Sequence, residues 1–282
     1  MLGQRIVTAV VLLALLVPAL VAASPWPFQL LTLALIGAAG WEWGRLNGAS
    51  SALAIGFGLA LVLACAGAWR AGWTAATPAA VWWIATAVWV IGGSFALSRG
   101  PAAWPHLPQG LRWLIGLVAL WAAWLAMAAA RERGHAFILS VFCVVWMADI
   151  AAYFGGRAFG RRKLAPSISP GKSWAGVWSG MSGVLLLAWA WLAWQGGAGA
   201  GSGVSLFSEL DRVFGLVVGT LLLLGLTAMS VVGDLVESLV KRAAGAKDSS
   251  RLLPGHGGVL DRVDALLPVF PIAMALATWA RH

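Results

Sequence analysis

The sequence predicts an all-α, polytopic integral membrane protein. Of its 282 residues, 61% are hydrophobic and only 10% are charged, whereas a soluble domain carries roughly 25% charged residues. Long runs almost free of charge recur along the chain, as expected of helices that satisfy their backbone hydrogen bonds inside lipid. These runs do not alternate polar and apolar residues, which argues against a transmembrane β-barrel.

About nine stretches approach the roughly 17–25 apolar residues that cross a bilayer as a helix. The predicted spans are 6–22, 28–43, 52–69, 79–97, 111–130, 136–154, 174–194, 214–232 and 266–279. The first span follows Arg5 and ends at Ala22-Ala23-Ser24, so a cleaved signal peptide is an alternative. Because further apolar runs follow at once, we expect an uncleaved first transmembrane helix.

The net charge of +9 comes from basic residues that lie mainly between the predicted spans. If the N-terminus is cytoplasmic, most Lys and Arg residues fall on the cytoplasmic side, in agreement with the positive-inside rule. The run Arg131-Glu132-Arg133 is a local exception. We therefore expect a multi-pass protein of the cell's inner (cytoplasmic) membrane, with no nucleic-acid partner.

Ionisable residues divide the chain into two regions. Residues 1–134 are predicted to form a scaffold of about five helices, in which Glu42 is almost the only ionisable residue inside a span. Residues 135–282 are predicted to form the catalytic region, because its cytoplasmic loops 155–173 and 233–265 concentrate charge, glycine and proline. This distribution predicts a polar active site that faces the cytoplasm.

A polar stripe closes the eighth predicted span. Its members lie three, four and seven residues after the first and share one face of a helix; they are Asp234, Glu237, Ser238 and Lys241. Ionisable residues embedded in a membrane are functional by default. The alternative is a helix end that protrudes into water and forms ordinary ion pairs.

A glycine-rich loop with basic flanks follows the stripe. It contains Lys241-Arg242, Lys247-Asp248 and Leu253-Pro254-Gly255-His256-Gly257-Gly258. Such a loop can aim successive backbone N–H groups at phosphate oxygens, and neighbouring Lys and Arg side chains add charge-assisted hydrogen bonds. By itself the pattern also fits an ordinary surface turn.

Two further carboxylates, Asp261 and Asp264, lie three residues apart and face one way on a helix. Carboxylates clustered with glycine and basic residues suit Mg²⁺, a hard cation that prefers oxygen ligands. His256 is the only His of the cluster and Cys is absent from it, which argues against zinc. For Asp261 alone, an N-terminal helix cap is the alternative.

These residues resemble the signature of the phosphatidate cytidylyltransferases, also called CDP-diacylglycerol synthases. The matching pattern is Ser238-x-Val240-Lys241-Arg242, Lys247-Asp248 and Leu253-Pro254-x-His256-Gly257-Gly258-Val259-x-Asp261-Arg262-Val263-Asp264. A second block is similar upstream, Asp149-x-x-Ala152-Tyr153-x-x-Gly156-Arg157-x-Phe159-Gly160 and Leu164-Ala165-Pro166-x-Ile168-Ser169-Pro170-Gly171-Lys172-Ser173-Trp174-x-Gly176. Ser173 stands where relatives often have Thr, which keeps the hydroxyl. The N-terminal spans match only as generic hydrophobic helices.

The resemblance implies a reaction and its requirements. CTP and phosphatidic acid would give CDP-diacylglycerol and pyrophosphate at the cytoplasmic face, with Mg²⁺ and a monovalent cation such as K⁺. It also implies about nine transmembrane helices and a homodimer within the lipid bilayer. The residues that match the family's metal centre are Asp234, Asp261 and Asp264.

We assign roles to the candidate residues on this basis. The catalytic set is Asp234, Lys241, Asp261 and Asp264, and the set expected to bind CTP phosphates is Ser238, Lys241, Arg242, Lys247, Asp248, His256, Gly257, Gly258 and Arg262. The set expected to hold the lipid phosphate is Arg157, Lys172 and Ser173, supported by Asp149, Tyr153 and Glu237. Asp149 would either reach the metal or orient Lys241. His256 is expected to contact phosphate or organise the loop, because an oxyanion nucleophile needs no base.

Other functions remain as alternatives. One is a CTP-using enzyme that acts on a different lipid phosphate, such as an archaeal-type ether lipid, or a CTP-dependent prenol kinase, which the complete signature disfavours. Another is a transporter in which Glu42, Asp149 and Asp234 form an ion path. Transporters place such residues near the bilayer midplane, whereas these charges cluster at one rim beside glycine-rich loops.

Overall fold

The computed structural model describes residues 2–279 and contains eleven α-helices. They are α1 (Leu2–Val21), α2 (Trp26–Leu46), α3 (Ser51–Arg70), α4 (Ala79–Ala87), α5 (Ser94–Arg99), α6 (Gln109–Glu132), α7 (His135–Phe159), α8 (Trp174–Gln195), α9 (Leu206–Ala243), α10 (Leu260–Val263) and α11 (Leu266–Trp279). A π-helical turn at Val88–Gly93 joins α4 to α5, and a 3₁₀ turn follows at Pro101–His106. A two-stranded antiparallel hairpin, β1 (Lys163–Ala165) and β2 (Ser169–Ser173), completes the fold.

Six helical segments are long and apolar enough to cross a membrane. They are Ser51–Arg70, Ala79–Arg99, Gln109–Glu132, His135–Phe159, Trp174–Gln195 and Leu206–Ala243, and Ile6–Val21 is a shorter apolar helix. The prediction of a helical membrane protein is therefore confirmed, with the hairpin as the single departure from an all-α fold within residues 2–279. The count of nine crossings stays a prediction.

The helices run between two ends of the bundle. The polar end carries the β1–β2 hairpin and residues 244–265, and the corner end carries the junction of α6 with α7 and the start of α9. Helix α7 alone spans about 37 Å between them, at the usual rise per residue. The core packs α11 against α4, α6 and α9, while α8 packs on α7 and α9.

Residues 155–173, expected as a loop, are mostly regular structure. Helix α7 continues to Phe159, and the hairpin then turns with the N–H of Ile168 donating to the carbonyl of Ala165 at 3.1 Å. Pro166 and Pro170 lack the N–H that a helix needs, which favours a short extended hairpin here.

Helix α9 corrects the bounds of the eighth predicted span and of the loop at 233–265. It begins at Leu206, breaks at Gly215 (φ +72°, ψ +171°), and continues to Ala243. No Gly or Pro follows Asp234 until Gly245, whose positive φ of 68° lies just beyond the end of the helix. The polar stripe is therefore a continuous helical face, as its spacing predicted.

Arg131-Glu132-Arg133 lies at the corner end, where each charge has a partner. Arg131 donates to the carbonyls of Leu20 and Ala22 at the end of α1. Glu132 accepts a hydrogen bond from the amide of Gln29 at 2.9 Å. Arg133 forms a salt bridge with Glu209 at 2.5 Å. The run that departs from the predicted charge pattern thus joins the ends of α1, α2, α6 and α9.

Candidate active site

The predicted site residues gather at the polar end around two adjoining features. The first is a cavity of about 600 Å³ between α7, α8, α9 and the hairpin, which we call the polar cavity. The second is the folded segment 244–264, which we call the signature loop. Residues from α7 and the hairpin line the cavity, and α9 contributes to both features.

Polar side chains and apolar groups both line the polar cavity. Its polar lining is Asp149, Tyr153, Arg157, Lys163, Lys172, Ser173, Thr227 and Asp234. Its apolar and glycine lining is Ala148, Ala152, Gly156, Leu164, Gly171, Gly176, Val177, Gly180 and Val231. Cationic side chains from two separate segments thus face carboxylates within one space that also has an apolar wall.

The ion pair between Lys172 and Asp234 crosses this cavity. The Lys172 ammonium lies 2.6 Å from the Asp234 carboxylate, and the two side chains are 26% and 29% exposed. Both side chains are partly buried and keep some contact with solvent, so the pair is screened more than a fully buried one. A ligand that enters the cavity can contact both groups.

Two residues from the upstream block have more local contacts. Ser173 is buried, and its hydroxyl oxygen caps α8 by accepting from the N–H of Gly176 at 3.2 Å. Its hydroxyl hydrogen stays available as a donor. Arg157 is exposed and donates to the hydroxyl of Tyr153 at 3.2 Å, one helical turn away.

Lys241 lies between two carboxylates beside the signature loop. Its ammonium is 2.5 Å from Glu237 and 2.5 Å from Asp261, and its side chain is only 12% exposed. The pairing with Glu237 follows from their four-residue separation on α9. To contact a triphosphate, Lys241 would have to exchange one of these carboxylates for a phosphate oxygen.

Asp261 organises the signature loop. One carboxylate oxygen accepts from Lys241, and the other accepts from the N–H of Ser249, the hydroxyl of Ser249 and the N–H of Gly258 at 2.7–2.9 Å. Burial raises the pKa of Asp261, but the hydrogen bonds from Lys241, Gly258 and Ser249 outweigh burial and lower that pKa to about 2. Asp261 is therefore ionised at neutral pH and fully occupied by protein donors.

Asp264 has the opposite electrostatic environment. Burial raises its pKa well above the usual value, and the negative charge of Asp234 acts in the same direction. One of its oxygens accepts from the N–H of Ala265 at 2.7 Å. Glu237 is buried, and among the described side chains its salt-bridge partner is Lys241. It adds a third carboxylate to the group formed by Asp234 and Asp264.

The site offers a divalent cation two carboxylates and not a preformed cluster of three or more protein ligands. Within residues 2–279, no three His, Cys, Asp or Glu side chains are grouped to hold a metal ion. Mg²⁺ usually takes one or two carboxylates together with substrate phosphates and water. Asp234 is held only by a partly exposed lysine and a long hydrogen bond from Ser238, and Asp264 accepts one hydrogen bond, whereas the Asp261 oxygens already accept four.

The turn of the signature loop is closed by its own backbone. The N–H of Leu253 donates to the carbonyl of Gly257, and the N–H of His256 donates to the carbonyl of Leu253, both at 2.8 Å. Arg262 donates two hydrogen bonds to the His256 carbonyl. Gly257 has a φ of +81°, and a Cβ there would lie 2.5 Å from the Asp261 carboxylate. Only glycine fits this position.

The remaining basic residues differ in how far they are engaged. Arg242 donates to the carbonyl of Ile168 at 3.2 Å and so joins the end of α9 to the hairpin turn. Lys247 and Asp248 are exposed, and neither forms a salt bridge with a side chain that the structure describes. The buried Nδ1 of His256, also in the signature loop, has no hydrogen-bond partner among the described residues.

Two residues near the site were not assigned to it from the sequence. Lys163 lines the polar cavity, but as one of several basic residues in its segment it carried no distinguishing signal. Glu42, assigned to the scaffold, is fully buried and contacts the signature loop. Its charge inside an apolar span was the available signal.

Comparison with known proteins identifies the family of this chain. The model of the cytidylyltransferase family matches residues 3–279. A phosphatidate cytidylyltransferase from Pseudomonas aeruginosa is 35% identical over 286 residues, which cover 99% of this chain and 98% of the relative.

Shorter matches cover about half of the chain. A phosphatidate cytidylyltransferase from Haemophilus influenzae is 47% identical over 140 residues, covering 49% of this chain and 44% of the relative. One from Staphylococcus aureus is 38% identical over 142 residues, covering 50% and 49%. The resemblance inferred from the signature is thereby confirmed, and the chain belongs to the cytidylyltransferase family.

Proposed function

We propose that this protein transfers the cytidylyl group of CTP to phosphatidic acid, giving CDP-diacylglycerol and pyrophosphate for phospholipid synthesis. A phosphate oxygen of the lipid attacks the α-phosphorus of CTP in line. A new P–O bond forms, and the bond from the α-phosphorus to the oxygen bridging it to the β-phosphorus breaks, so that pyrophosphate leaves with the electron pair. Family membership and the names of the relatives support this reaction.

The polar cavity is the observation that carries the proposal. Arg157, Lys163 and Lys172 face its interior from α7 and the hairpin. Guanidinium and ammonium groups bind phosphate through charge-assisted hydrogen bonds. The cavity also has an apolar wall, lined by Ala152, Val177, Val231 and neighbouring glycines. This combination suits a phosphate joined to a glycerol and two acyl chains.

The signature loop supplies the nucleotide side of the proposed site. Lys247 is exposed and free of ion pairs within the described chain, so it is available to contact the triphosphate. Lys241 can follow by exchanging Asp261 or Glu237 for a phosphate oxygen. Asp261 keeps the loop folded during that exchange, through its bonds to Ser249 and Gly258. Positioning and electrostatic stabilisation of this kind dominate phosphoryl-group chemistry.

We assign Mg²⁺ to Asp234 and Asp264, with Asp261 holding the loop beside them. Two carboxylates without His or Cys fit a hard cation. When bound, Mg²⁺ would neutralise charge on the CTP phosphates. Lys172, which pairs with Asp234, would turn toward the lipid phosphate when Asp234 binds a cation.

The proposed location is the cytoplasmic membrane, with the polar end facing the cytoplasm. The excess of basic residues in the segments near the polar end supports this orientation. CTP reaches the site only from the cytoplasm. A homodimer is proposed on the family resemblance alone.

The reaction can be tested with purified protein, CTP labelled in the cytidine ring, phosphatidate and Mg²⁺. We expect labelled CDP-lipid that requires phosphatidate. A panel of other lipid phosphates, including prenyl phosphates and ether-lipid phosphates, identifies the acceptor. If a different lipid phosphate is used at least as well as phosphatidate, the assigned substrate is wrong.

A further inference from the structure

Glu42 connects the predicted scaffold to the signature loop. It lies near the end of α2, more than 200 residues away in sequence from the loop, and it is 0% exposed. No salt bridge joins it to any Lys or Arg whose side chain the structure describes. A buried polar group is costly unless its atoms are hydrogen-bonded.

Three donors from the signature loop satisfy the Glu42 carboxylate. One Glu42 oxygen accepts from the hydroxyl of Ser250 at 2.5 Å and the N–H of Val259 at 3.0 Å. The other accepts from the N–H of Leu260 at 2.6 Å and lies 3.1 Å from the hydroxyl oxygen of Ser249, whose single hydrogen is shared with the nearer Asp261. The carboxylate therefore holds the two ends of the turn, 249–250 and 259–260, against α2.

The same contacts determine where Asp261 lies. The Ser249 hydroxyl is within hydrogen-bond distance of both Glu42 and Asp261. Gly258 packs directly on the Glu42 carboxylate, since a Cβ at this position would lie 2.3 Å from it, and its N–H donates to Asp261. All three groups that bind Asp261 besides Lys241 therefore belong to Ser249 and Gly258, the residues that touch Glu42.

The end of α2 is a rigid anchor for this arrangement. The indole N–H of Trp43 donates to the carbonyl of Arg112, and the amide of Asn47 donates to the carbonyl of Trp43, both at 2.9 Å. The indole N–H of Trp104 donates to the side-chain oxygen of Asn47 at 2.8 Å. A group held on a packed helix positions a loop more accurately than the loop can position itself.

We propose that Glu42 is a positioning residue for the nucleotide side of the active site. Its carboxylate fixes the signature loop so that Asp261 and Lys241 stand at the correct distance from bound CTP. The kinetic part of this inference rests on the proposed function. The structural part, the fixing of residues 249–260, does not.

The substitution Glu42→Gln tests the proposal. Whichever way the amide is turned, its NH₂ group faces either Val259 or Leu260 and leaves one buried backbone N–H without an acceptor. Glu209→Gln is the matched control, because Glu209 is equally a buried carboxylate but lies at the corner end, paired with Arg133.

Hydrogen exchange supplies the first measurement, and it needs no catalytic activity. In Glu42→Gln we expect faster amide exchange in peptides covering 249–264 than in wild type, with peptides from 266–279 unchanged. Glu209→Gln should leave the amide exchange rates of peptides covering 249–264 and 266–279 unchanged. Unaltered exchange at 249–264 in Glu42→Gln overturns the proposal, whether or not the protein makes CDP-lipid.

Kinetics supply the second measurement, with rates expressed per folded protein. We expect Glu42→Gln to raise the KM for CTP and lower kcat, each by about tenfold, as misplacement of catalytic groups does. The KM for phosphatidate should stay within about twofold, because its proposed site lies in the polar cavity. A simple loss of folded protein, as expected for Glu209→Gln, leaves both KM values unchanged.

If the wild type is active and Glu42→Gln has the same KM and kcat values as Glu209→Gln, the positioning role is wrong. The proposed function is unaffected by that result. Inactive wild type overturns the proposed function instead. If Glu42→Gln does not insert or fold, Ser250→Ala takes its place, since it removes one donor and leaves the carboxylate. We expect the same pattern, with a CTP KM about threefold higher; an unchanged CTP KM contradicts the proposal.

Discussion

The two ends of the bundle contain similar charged residues in different balance. At the corner end, Arg131, Glu132, Arg133 and Glu209 each have a partner, and the partners join helix ends. At the polar end, only Lys172 and Lys241 among the described side chains pair with carboxylates, and their partners are Asp234, Glu237 and Asp261. Asp149, Asp248 and Asp264 lie in the same region without a salt bridge to any side chain that the structure describes.

This difference distinguishes a structural cluster from a binding site. Balanced, buried charges hold elements together and leave nothing to bind. Carboxylates that lack a paired cation, next to basic residues that are also unpaired, are unfavourable until a cation and its phosphates bind, which is typical of sites with perturbed pKa values. The raised pKa of Asp264 reflects this imbalance, through burial and the neighbouring charge of Asp234.

The largest loss of activity is expected from Asp261→Asn. The amide keeps the shape but removes the charge that pairs with Lys241 and holds the N–H groups of Ser249 and Gly258. We expect CDP-lipid formation to fall by about 100-fold or more, as for other losses of a preorganised charge. The initial rate per folded protein measures this, with Asp211→Asn, an exposed acid near the start of α9, as the matched control. Retention of more than half of the activity in Asp261→Asn would remove Asp261 from the mechanism.

A smaller and selective effect is expected from Arg157→Ala. Removal of this cation from the polar cavity should raise the phosphatidate KM about tenfold and leave the CTP KM within about twofold. Lys247→Ala, in the signature loop, should show the reverse selectivity. Steady-state kinetics with each substrate varied in turn measure both, and equal effects on the two substrates in either variant would contradict the division of the site.

A minor effect is expected from Ser238→Ala. The hydroxyl of Ser238 lies 3.4 Å from the Asp234 carboxylate, which is a long and weak hydrogen bond. We expect the rate to change by less than about threefold. A loss comparable to that of Asp261→Asn would show that Ser238 contacts a substrate directly.

No effect on catalysis is expected at the corner end. Glu209→Gln leaves Arg133 buried without its carboxylate and should lower the free energy of unfolding by about 3 kcal/mol. Thermal unfolding in detergent measures the loss, and both KM values should match wild type. A changed KM would mean that the two ends are coupled, contrary to the comparison above.

The long helices, and the pairing of side chains one turn apart on them, could be predicted from the sequence. Apolar runs placed the long helices because a span must satisfy its backbone internally. The four-residue spacing of Glu237 and Lys241 correctly indicated a shared helical face, and the pair forms. Such features depend on neighbouring residues and so can be recognised from a local pattern.

Features that depend on distant contacts could not be predicted. Glu42 meets Ser249, Ser250, Val259 and Leu260 only after the chain has folded, and its spacing in α2 does not indicate these partners. The pairing of Lys172 with Asp234 is likewise long-range. The break at Gly215 was missed because a single glycine inside an apolar run does not distinguish a kink from a continuous helix.

The position of the label transferred from CTP tests the central claim most directly. Purified protein is incubated with phosphatidate, Mg²⁺ and CTP labelled either at the α-phosphorus or at the γ-phosphorus. The proposed site predicts that the α-label enters the lipid and that the γ-label leaves in pyrophosphate, in equal amounts. Entry of the γ-label into the lipid, with release of CDP, would identify a kinase and contradict the proposed reaction.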